Sequence, residues 1–334
     1  MAKIFVTGVA GFLGSHIADA MLAAGHEVVG NDNMLGGEDA NIPAGVKFYE
    51  DDCCDFECMK SDMRGADIVF HCAATAYEGL SVFSPSVVSR NIMDASVTVF
   101  SAAIANKVKR IVHCSSMARY GAAVPPFQEF YEPKPQDPYG IAKVGAEHML
   151  RNLCTVHGIE YVIAVPHNII GPKQKYDDPF RNVASIMMNL MLQGRSPTIY
   201  GDGSQKRCFS FVNDCLSCLT KMAFQDNVVG EVINIGPDEQ PITINGLFAE
   251  IASVVKFNGS PIYRPGRPQE VHIALCSSNK ARQLLNYETK TTLHEGLCTM
   301  ASAMRARGTR PFNYHLPLEI ITEKTPRTWV ERHF

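Results

Sequence analysis

The chain has 334 residues, of which 46% are hydrophobic, and its 31 basic and 34 acidic side chains leave a net charge of −3. A hydrophobic share of this size supports a folded core and excludes disorder as the main state, and the balanced charge gives no reason to expect a nucleic-acid or membrane-surface partner. The eleven cysteines are scattered and odd in number, which argues against a disulfide framework. Because there is no signal-peptide pattern and no long apolar run, the expected location is a reducing cytoplasm.

Short apolar runs alternate with helical patterns through the first half of the chain. Strands are predicted at residues 3–7, 27–30, 47–49, 68–71, 111–114 and 161–165, and helices at 14–24, 91–106 and 138–157. Alternation with this spacing is typical of βαβ units. Because crossovers between parallel strands are right-handed, it predicts an α/β fold with a Rossmann-like, doubly wound parallel sheet.

The second half of the chain has shorter apolar runs and more Gly, Pro and charged residues. This change predicts a smaller, mostly helical C-terminal lobe that would bind a substrate. The expected division is a sheet domain over residues 1–168, to which a helix and a strand within 209–236 return, a smaller lobe over 169–208 and 237–307, and a tail over 308–334. The tail holds the only tryptophan, Trp329, and is expected to pack over the surface.

A glycine-rich turn, Gly8 to Gly14, follows the first predicted strand and opens the first helix. Such a turn lets the backbone approach a pyrophosphate, which the helix N-terminus then binds; the alternative is a tight structural turn. Asp32 ends the second predicted strand, where a carboxylate accepts hydrogen bonds from ribose hydroxyls and repels a 2′-phosphate. Asn33 and the residues after it bring no nearby Arg or Lys, so the pattern predicts NAD rather than NADP, unless Asp32 is only a solvated loop residue.

Tyr139 and Lys143 lie four residues apart at the start of a predicted helix, which places them on one face. An adjacent ammonium and a nicotinamide cation both favour the phenolate of a tyrosine, whose ordinary pKa is about 10. Tyr139 is therefore a candidate base. Ser115 and Ser116 follow the fifth predicted strand, at the sheet edge where ligands of parallel sheets bind, so a serine hydroxyl there could bridge a substrate oxygen and Tyr139.

From residue 3 to about residue 304, the sequence resembles the extended short-chain dehydrogenase/reductase family, and its nucleotide-sugar epimerase branch in particular. The motifs that carry the resemblance are the glycine turn, Asp52-Cys53, Ala73-Ala74, Asn91, Ser116, Tyr120-Gly121, Tyr139, Lys143, Asn168, Gly201-Asp202-Gly203, Arg207 and residues 267–271. The resemblance implies that the first domain binds NAD and that the smaller lobe binds a nucleotide sugar. It also implies a homodimer in which the predicted helices 91–106 and 138–157 form a four-helix bundle.

No metal is expected, because the only Cys-x-x-Cys, Cys215 to Cys218, has no second pair and a structural zinc needs four ligands. The resemblance also implies residue roles. Ser116, Tyr139 and Lys143 would be catalytic. Contacts with NAD would come from Gly8, Gly11, Phe12, Leu13, Gly14, Asp32, Asn33, Asp52, Cys53, Ala73, Ala74, Asn91, Ser115, Tyr139, Lys143, Pro166 and His167. Contacts with the substrate would come from Ser116, Asn168, Asn182, Val183, Tyr200, Arg207, Arg267, Glu270 and Ala274. The sequence departs from the family pattern at residues 165–167, Cys208, Gln269 and Ser277.

The residues after Ser116 bear on the reaction. Related dehydratases and decarboxylases carry acidic residues there, whereas this chain has Met117 and Ala118, which cannot transfer a proton. A related 3,5-epimerase would have a cysteine at the position of Ala118. The resemblance therefore implies NAD-dependent 4-epimerisation of a UDP-hexose, and the small Ala274 would also admit N-acetyl sugars. Two alternatives stay open: an NAD(P)H-dependent keto-sugar reductase or other nucleotide-sugar enzyme of this family, and a non-catalytic NAD sensor. Glu78 could reach the sugar or be an ordinary loop carboxylate.

Overall fold

The computed structural model describes residues 1–334. Its strands are β1 Lys3–Thr7, β2 Glu27–Asn31, β3 Lys47–Tyr49, β4 Ile68–His71, β5 Arg110–Cys114, β6 Glu160–Pro166, β7 Ile169–Ile170, β8 Thr198–Tyr200, β9 Lys206–Arg207, β10 Ser210–Phe211, β11 Val232–Ile235, β12 Ile242–Thr243, β13 Ile262–Arg264 and β14 Ile273–Ala274. Its helices are α1 Phe12–Ala23, α2 Phe56–Asp62, α3 Glu78–Ser81, α4 Pro85–Ser89, α5 Ala95–Ala105, α6 Pro138–His157, α7 Val183–Leu192, α8 Val212–Met222, α9 Ile244–Val255, α10 Asn279–Leu285, α11 Leu293–Arg307 and α12 Arg327–Val330.

Seven strands form one parallel sheet in the order β11-β6-β5-β4-β1-β2-β3. The strand order reverses between β1 and β4, and this point is where open α/β sheets bind ligands at the carboxyl ends of their strands. The predicted Rossmann-like, doubly wound fold is therefore confirmed.

Side chains of the central strands alternate between two hydrophobic cores. In β1, Ile4 and Val6 belong to the core beneath α1 and α8, whereas Phe5 belongs to the core beneath α2, α5 and α6. Such alternation follows from the two-residue period of a strand. A sheet that is covered on both faces needs apolar residues at consecutive positions, which explains the continuous apolar runs in the sequence.

The two long helices of the sheet domain differ in how well the sequence predicts them. Helix α6 has the predicted bounds, because the Asp137 carboxylate accepts a hydrogen bond from the Gly140 N–H at 2.9 Å and Gly158 ends the helix in the left-handed region with φ +68°. The helix predicted at 91–106 starts earlier, at Pro85. It continues through a π-helical segment, Arg90–Asp94, into α5, and π-turns have no simple sequence signal.

The smaller lobe packs α7, α9 and α11 around one hydrophobic cluster and adds two small sheets, β13-β8 and β12-β9-β14. The helix predicted within residues 209–236 starts at Val212, because Ser210 and Phe211 pair with β7 as strand β10. Helix α10 lies within the range predicted for the smaller lobe, but Ala281 and Leu285 are buried in the core of the central sheet. No helix of the protein is both long and apolar enough to cross a membrane.

Residues 308–334 run back from the smaller lobe to the sheet domain. Both carboxylate oxygens of Glu319 accept hydrogen bonds from the first N–H groups of α4, those of Ser86 and Val87, at 2.9 Å. Trp329 is only 3% exposed. Its ring lies in a cluster with Tyr77, Leu80, Phe83, Phe180 and Leu316. The tail is therefore partly buried and contributes to the core.

Candidate active site

A cavity of about 480 Å³ lies at the carboxyl end of the central sheet, at the switch point between β1 and β4. Residues of both lobes and of the tail line it. Its volume is typical of a small-molecule or cofactor site.

The glycine turn forms the floor of one end of the cavity. Gly8 has a φ of +70°, and a Cβ at this position would lie 2.9 Å from the Cα of Ala73. A Cβ on Gly14 would overlap the carbonyl oxygen of Gly8. Only glycine therefore fits at these two positions and leaves the backbone accessible to a ligand. Helix α1 begins at Phe12, and its free N–H groups are directed at this end of the cavity.

Asp32 lies beside the turn and is fixed by the backbone. Its carboxylate accepts hydrogen bonds from the N–H of Ala10 at 3.1 Å and from the N–H of Met34 at 2.9 Å. Burial raises the pKa of Asp32 above its ordinary value, and these two hydrogen bonds act in the opposite direction. A carboxylate has about four acceptor positions, so Asp32 keeps free positions for the two hydroxyls of a ribose.

A buried chain of polar side chains fixes the loop after β4. The Thr7 hydroxyl oxygen accepts hydrogen bonds from the N–H groups of Cys72 and Ala73, both at 3.1 Å. It therefore donates its own proton to Nδ1 of His71, 2.8 Å away. His71 must then carry its proton on Nε2, which donates to the Ser96 hydroxyl at 2.9 Å. Burial lowers the pKa of His71 to about 3, so the ring stays neutral.

Ser116, Tyr139 and Lys143 line the same wall of the cavity. The Lys143 ammonium donates a hydrogen bond to the carbonyl of Cys114 at 2.8 Å, which leaves two donors free. Burial raises the pKa of Tyr139, and the Ser116 hydroxyl acts in the opposite direction. This differs from the expected lowering of the tyrosine pKa, because burial and the nearby Glu78 and Asp137 carboxylates outweigh the groups that lower it, and the nicotinamide cation of that expectation is not part of the protein.

A buried ion pair holds the loop that carries Ser116. Arg119 donates two hydrogen bonds to the Glu147 carboxylate, at 2.9 and 3.0 Å, and the two side chains are 4% and 3% exposed. The Ser115 hydroxyl donates to the same carboxylate. Glu147 lies on α6, one turn after Lys143, so the network connects the loop after β5 to the helix that carries the tyrosine.

Two arginines line the opposite end of the cavity. Arg267 pairs with Glu270 at 3.1 Å and stacks over the ring of Tyr200, and Arg207 lies 3.9 Å from the same Glu270. Arg207 also donates to the carbonyl of Val271 at 2.7 Å. The guanidinium geometry of such a pair fits a diphosphate. Glu270, one of the expected substrate contacts, pairs with both arginines here.

Comparison with known proteins agrees with this geometry. Residues 4–236 match the sequence model of the NAD dependent epimerase/dehydratase family. The chain belongs to this family. NAD is therefore its cofactor, as the glycine turn and Asp32 predict.

Three similar proteins illustrate the range of this epimerase/dehydratase family. The chain is 31% identical to a putative UDP-glucose 4-epimerase of Methanocaldococcus jannaschii, over 90% of this chain and 98% of that protein. The crystal structure of a Thermotoga maritima UDP-glucose 4-epimerase with UDP-glucose matches with a TM-score of 0.87 and 30% identity, over 91% of this chain and 99% of the other. A UDP-glucuronic acid 4-epimerase from Bacillus cereus, in complex with UDP-glucuronic acid and NAD, matches with a TM-score of 0.85 and 26% identity, over 92% and 100%.

In this epimerase/dehydratase, the structure brings nearly all the predicted site residues to one cavity. The lining residues that the sequence predicts are Gly8, Gly11, Phe12, Leu13, Gly14, Asp32, Asn33, Asp52, Cys53, Ala73, Ala74, Asn91, Ser115, Ser116, Tyr139, Lys143, Pro166, Asn168, Asn182, Val183, Tyr200, Arg207, Arg267 and Glu270. The glycine cradle and the free acceptors of Asp32 fit a dinucleotide.

Two predicted site residues lie outside the cavity. His167 is buried, and its Nε2 is 3.1 Å from the carbonyl of Pro237, so its ring is turned away. Ala274 is 6% exposed and belongs to the core cluster that includes Phe127 and Cys276. Strand β14 directs Ala274 inward and leaves Ile273 exposed. Neither residue lines the cavity, so the structure does not bring them together with the other predicted site residues.

Several lining residues are absent from the sequence prediction. Arg181 lies over the ring of Tyr77, 4.6 Å from its centre, and pairs with Asp178 at 3.4 Å. Trp329 and Phe334, from the tail, also line the cavity. For Arg181 a local signal exists, because it directly precedes the predicted site residues Asn182 and Val183 in the sequence. The tail has no periodicity, so nothing in the sequence places its aromatic residues here.

Proposed function

We propose that this protein is an NAD-dependent 4-epimerase of a UDP-linked hexose. The observation that carries the proposal is the arrangement of Ser116, Tyr139 and Lys143 at the cofactor end of a cavity whose other end holds Arg207 and Arg267. A base near the cofactor and a pair of guanidinium groups at a distance from it match the two ends of a nucleotide-linked sugar.

The proposed chemistry needs one proton acceptor and one hydride acceptor. When bound, NAD⁺ would supply the hydride acceptor for C4 of the sugar and the source of its return. Tyr139 takes the proton of the O4 hydroxyl and gives it back at the end, and Ser116 orients that oxygen. Lys143, held by the Cys114 carbonyl, favours the phenolate through its charge.

Inversion requires that the keto sugar presents its other face while the nucleotide stays bound. Arg207 and Arg267 hold the diphosphate bidentately in this proposal. Arg207 is fixed by the carbonyl of Val271 at 2.7 Å, and Arg267 by Glu270 at 3.1 Å. The anchor is therefore rigid, and rotation about the diphosphate link moves only the sugar.

Elimination or decarboxylation needs an acid close to the sugar on the Ser116 loop. The residues after Ser116 are Met117, which lines the cavity with an apolar side chain, and Ala118, which is buried. Neither side chain can transfer a proton. This supports 4-epimerisation over the related reactions in the family.

The test is a proton NMR time course on the purified protein in D2O, with UDP-glucose and, separately, UDP-N-acetylglucosamine, and with no added cofactor. We expect the signals of the C4 epimer to appear without deuterium at C4, because the hydride returns internally. The matched variant Tyr139→Phe should retain its NAD and lose turnover. Consumption of added NADH in proportion to product, or unchanged turnover in Tyr139→Phe, would contradict the proposal.

We also propose that the enzyme is a homodimer through α5 and α6. Ile141, Met149 and Val156 of α6 are large, apolar and exposed, at 57%, 43% and 68%, and their spacing places them along one stripe of the helix. A contact between copies would cover this stripe. Light scattering after gel filtration should then give twice the mass of 36.7 kDa, and a monomer mass at micromolar concentration would contradict it.

A further inference from the structure

Glu78 is the first residue of α3, and its side chain is exposed within the cavity. No side chain or backbone group of the protein makes a hydrogen bond or an ion pair with its carboxylate. The nearby arginines, Arg207 and Arg267, pair with Glu270 instead. A carboxylate that lines a ligand cavity and has no partner in the protein keeps all its acceptor positions for a ligand.

The backbone of α3 is fixed relative to the candidate base. The Ser81 hydroxyl donates to the carbonyl of Glu78 at 2.7 Å and lies 3.4 Å from the Asp137 carboxylate. Asp137 caps α6, whose second residue is Tyr139. Tyr77, which precedes Glu78, is 1% exposed and donates to Asp178 at 2.6 Å. Glu78 therefore has a defined position next to the start of α6 and is not on a loose loop.

The other neighbour of Glu78 faces the arginine end of the cavity. A Cβ placed on Gly79 would lie 3.2 Å from a guanidinium nitrogen of Arg267 and 3.5 Å from the ring of Trp329. Glu78 also lines the small pocket that Asp137, Arg207 and Arg267 share. The carboxylate thus lies between the candidate base and the candidate diphosphate anchor. If the proposed function is correct, the sugar occupies this place.

The charges around Glu78 define which sugars it tolerates. Desolvation within the cavity raises the pKa of Glu78 to about 7; the Asp137 and Glu270 carboxylates add to this effect, whereas Arg207 and Arg267 oppose it. Two other carboxylates, those of Asp137 and Glu270, line the same small pocket as Glu78. A sugar that brings its own carboxylate would add a further negative charge, while the hydroxyl groups of an uncharged sugar can donate to Glu78 or accept from it.

We propose that Glu78 determines the sugar specificity of this enzyme, by hydrogen-bonding an uncharged nucleotide-linked hexose and excluding nucleotide-linked uronic acids. The inference rests on the proposed function, since it assumes that the sugar lies between Tyr139 and the arginine pair. It gives a definite role to a residue that the sequence leaves open between a sugar contact and an ordinary loop carboxylate.

The test compares the binding of UDP-glucose with that of UDP-glucuronic acid by isothermal titration calorimetry, on the holoenzyme. The variants are Glu78→Gln, which keeps the shape and removes the charge, and Glu57→Gln, which makes the same change at an exposed position on α2. We expect the wild type and Glu57→Gln to bind UDP-glucose at least about tenfold more tightly than UDP-glucuronic acid. In Glu78→Gln this ratio should fall about tenfold, mainly because the uronic acid binds better.

The pH dependence adds a readout that a merely structural role would not change. Between about pH 6 and about pH 8.5, Glu78 loses its proton, so the wild-type preference for UDP-glucose should increase, whereas that of Glu78→Gln should stay flat. Equal binding of the two ligands by the wild type, or an unchanged ratio in Glu78→Gln, would overturn the proposal. Binding is measured apart from turnover. A shifted ratio in a protein that epimerises neither UDP-glucose nor UDP-N-acetylglucosamine therefore refutes the proposed function and supports the role of Glu78.

Discussion

Removing the charge of Glu147 should destabilise the protein strongly, because this carboxylate is the partner of a buried arginine. Glu147 and Arg119 are 3% and 4% exposed and share two hydrogen bonds of 2.9 and 3.0 Å. In Glu147→Gln, the amide keeps the volume but lacks the charge, and its NH₂ group must face a donor. Breaking a buried pair on one side costs about 3–5 kcal/mol. That is a large part of the 5–15 kcal/mol that typically separates folded from unfolded protein.

The assay is urea denaturation of Glu147→Gln beside a matched variant, Glu288→Gln. The second variant removes a carboxylate whose pair with Lys290, at 3.8 Å, is 72% and 74% exposed, so its cost should stay below about 1 kcal/mol. The double variant Arg119→Met/Glu147→Leu should recover most of the loss, because it removes both charges together. A loss below about 1 kcal/mol in Glu147→Gln, or a double variant as unstable as the single one, would refute the argument.

Three further predictions concern the cofactor turn and one buried carboxylate. Gly14→Ala should yield protein without NAD, because the methyl group overlaps the Gly8 carbonyl; HPLC of the denatured protein checks this, and a full NAD content would contradict it. Asp32→Ala should reduce the preference for NAD over NADP at least about tenfold in fluorescence titrations, and an unchanged preference would contradict the assigned ribose contact. Burial, and after it the Asp51 carboxylate, raise the pKa of Asp62 from 3.8 to about 6. The folded protein therefore holds this proton more tightly than the unfolded chain does, and its stability falls as the pH rises from about 4 to about 6. Asp62→Asn should therefore gain about 1 kcal/mol at pH 8, after allowance for solvent screening, and nothing near pH 3.5; an equal gain in urea denaturation at both pH values would contradict this.

The central sheet and the catalytic spacing can be predicted from the sequence because both depend on near neighbours in the chain. Strand β1 and helix α6 have the predicted bounds, since an apolar run and a capped helix are local signals. The i, i+4 spacing of Tyr139 and Lys143 places them on one face whatever the rest of the chain does. The glycine turn is local in the same sense, because steric overlap with Gly8 excludes any side chain at Gly14.

Features that depend on distant contacts are harder to predict. The direction of Ala274 is set by how the two residues of β14 pair with β9, and a shift of one residue would turn it to the other side. The network of Arg119 and Glu147 spans 28 residues. One signal does exist for it: Glu147 follows Lys143 by four residues on the buried face of α6, and a buried carboxylate needs a partner.

The tail shows how a segment without sequence periodicity can still define a site. Trp329 must be buried for hydrophobic reasons, but only the folded chain shows that its place is against Gly79, beside Glu78 and Arg267. Thr328, one residue earlier, forms a hydrogen bond with the hydroxyl of Tyr200, so two consecutive tail residues contact the sheet domain and the smaller lobe. Such a wall reduces the water around Glu78, and electrostatic interactions strengthen as water is excluded. The same carboxylate on an open surface would be screened and would discriminate weakly between charged and uncharged sugars, so the specificity proposed for Glu78 depends on the enclosure that the tail provides.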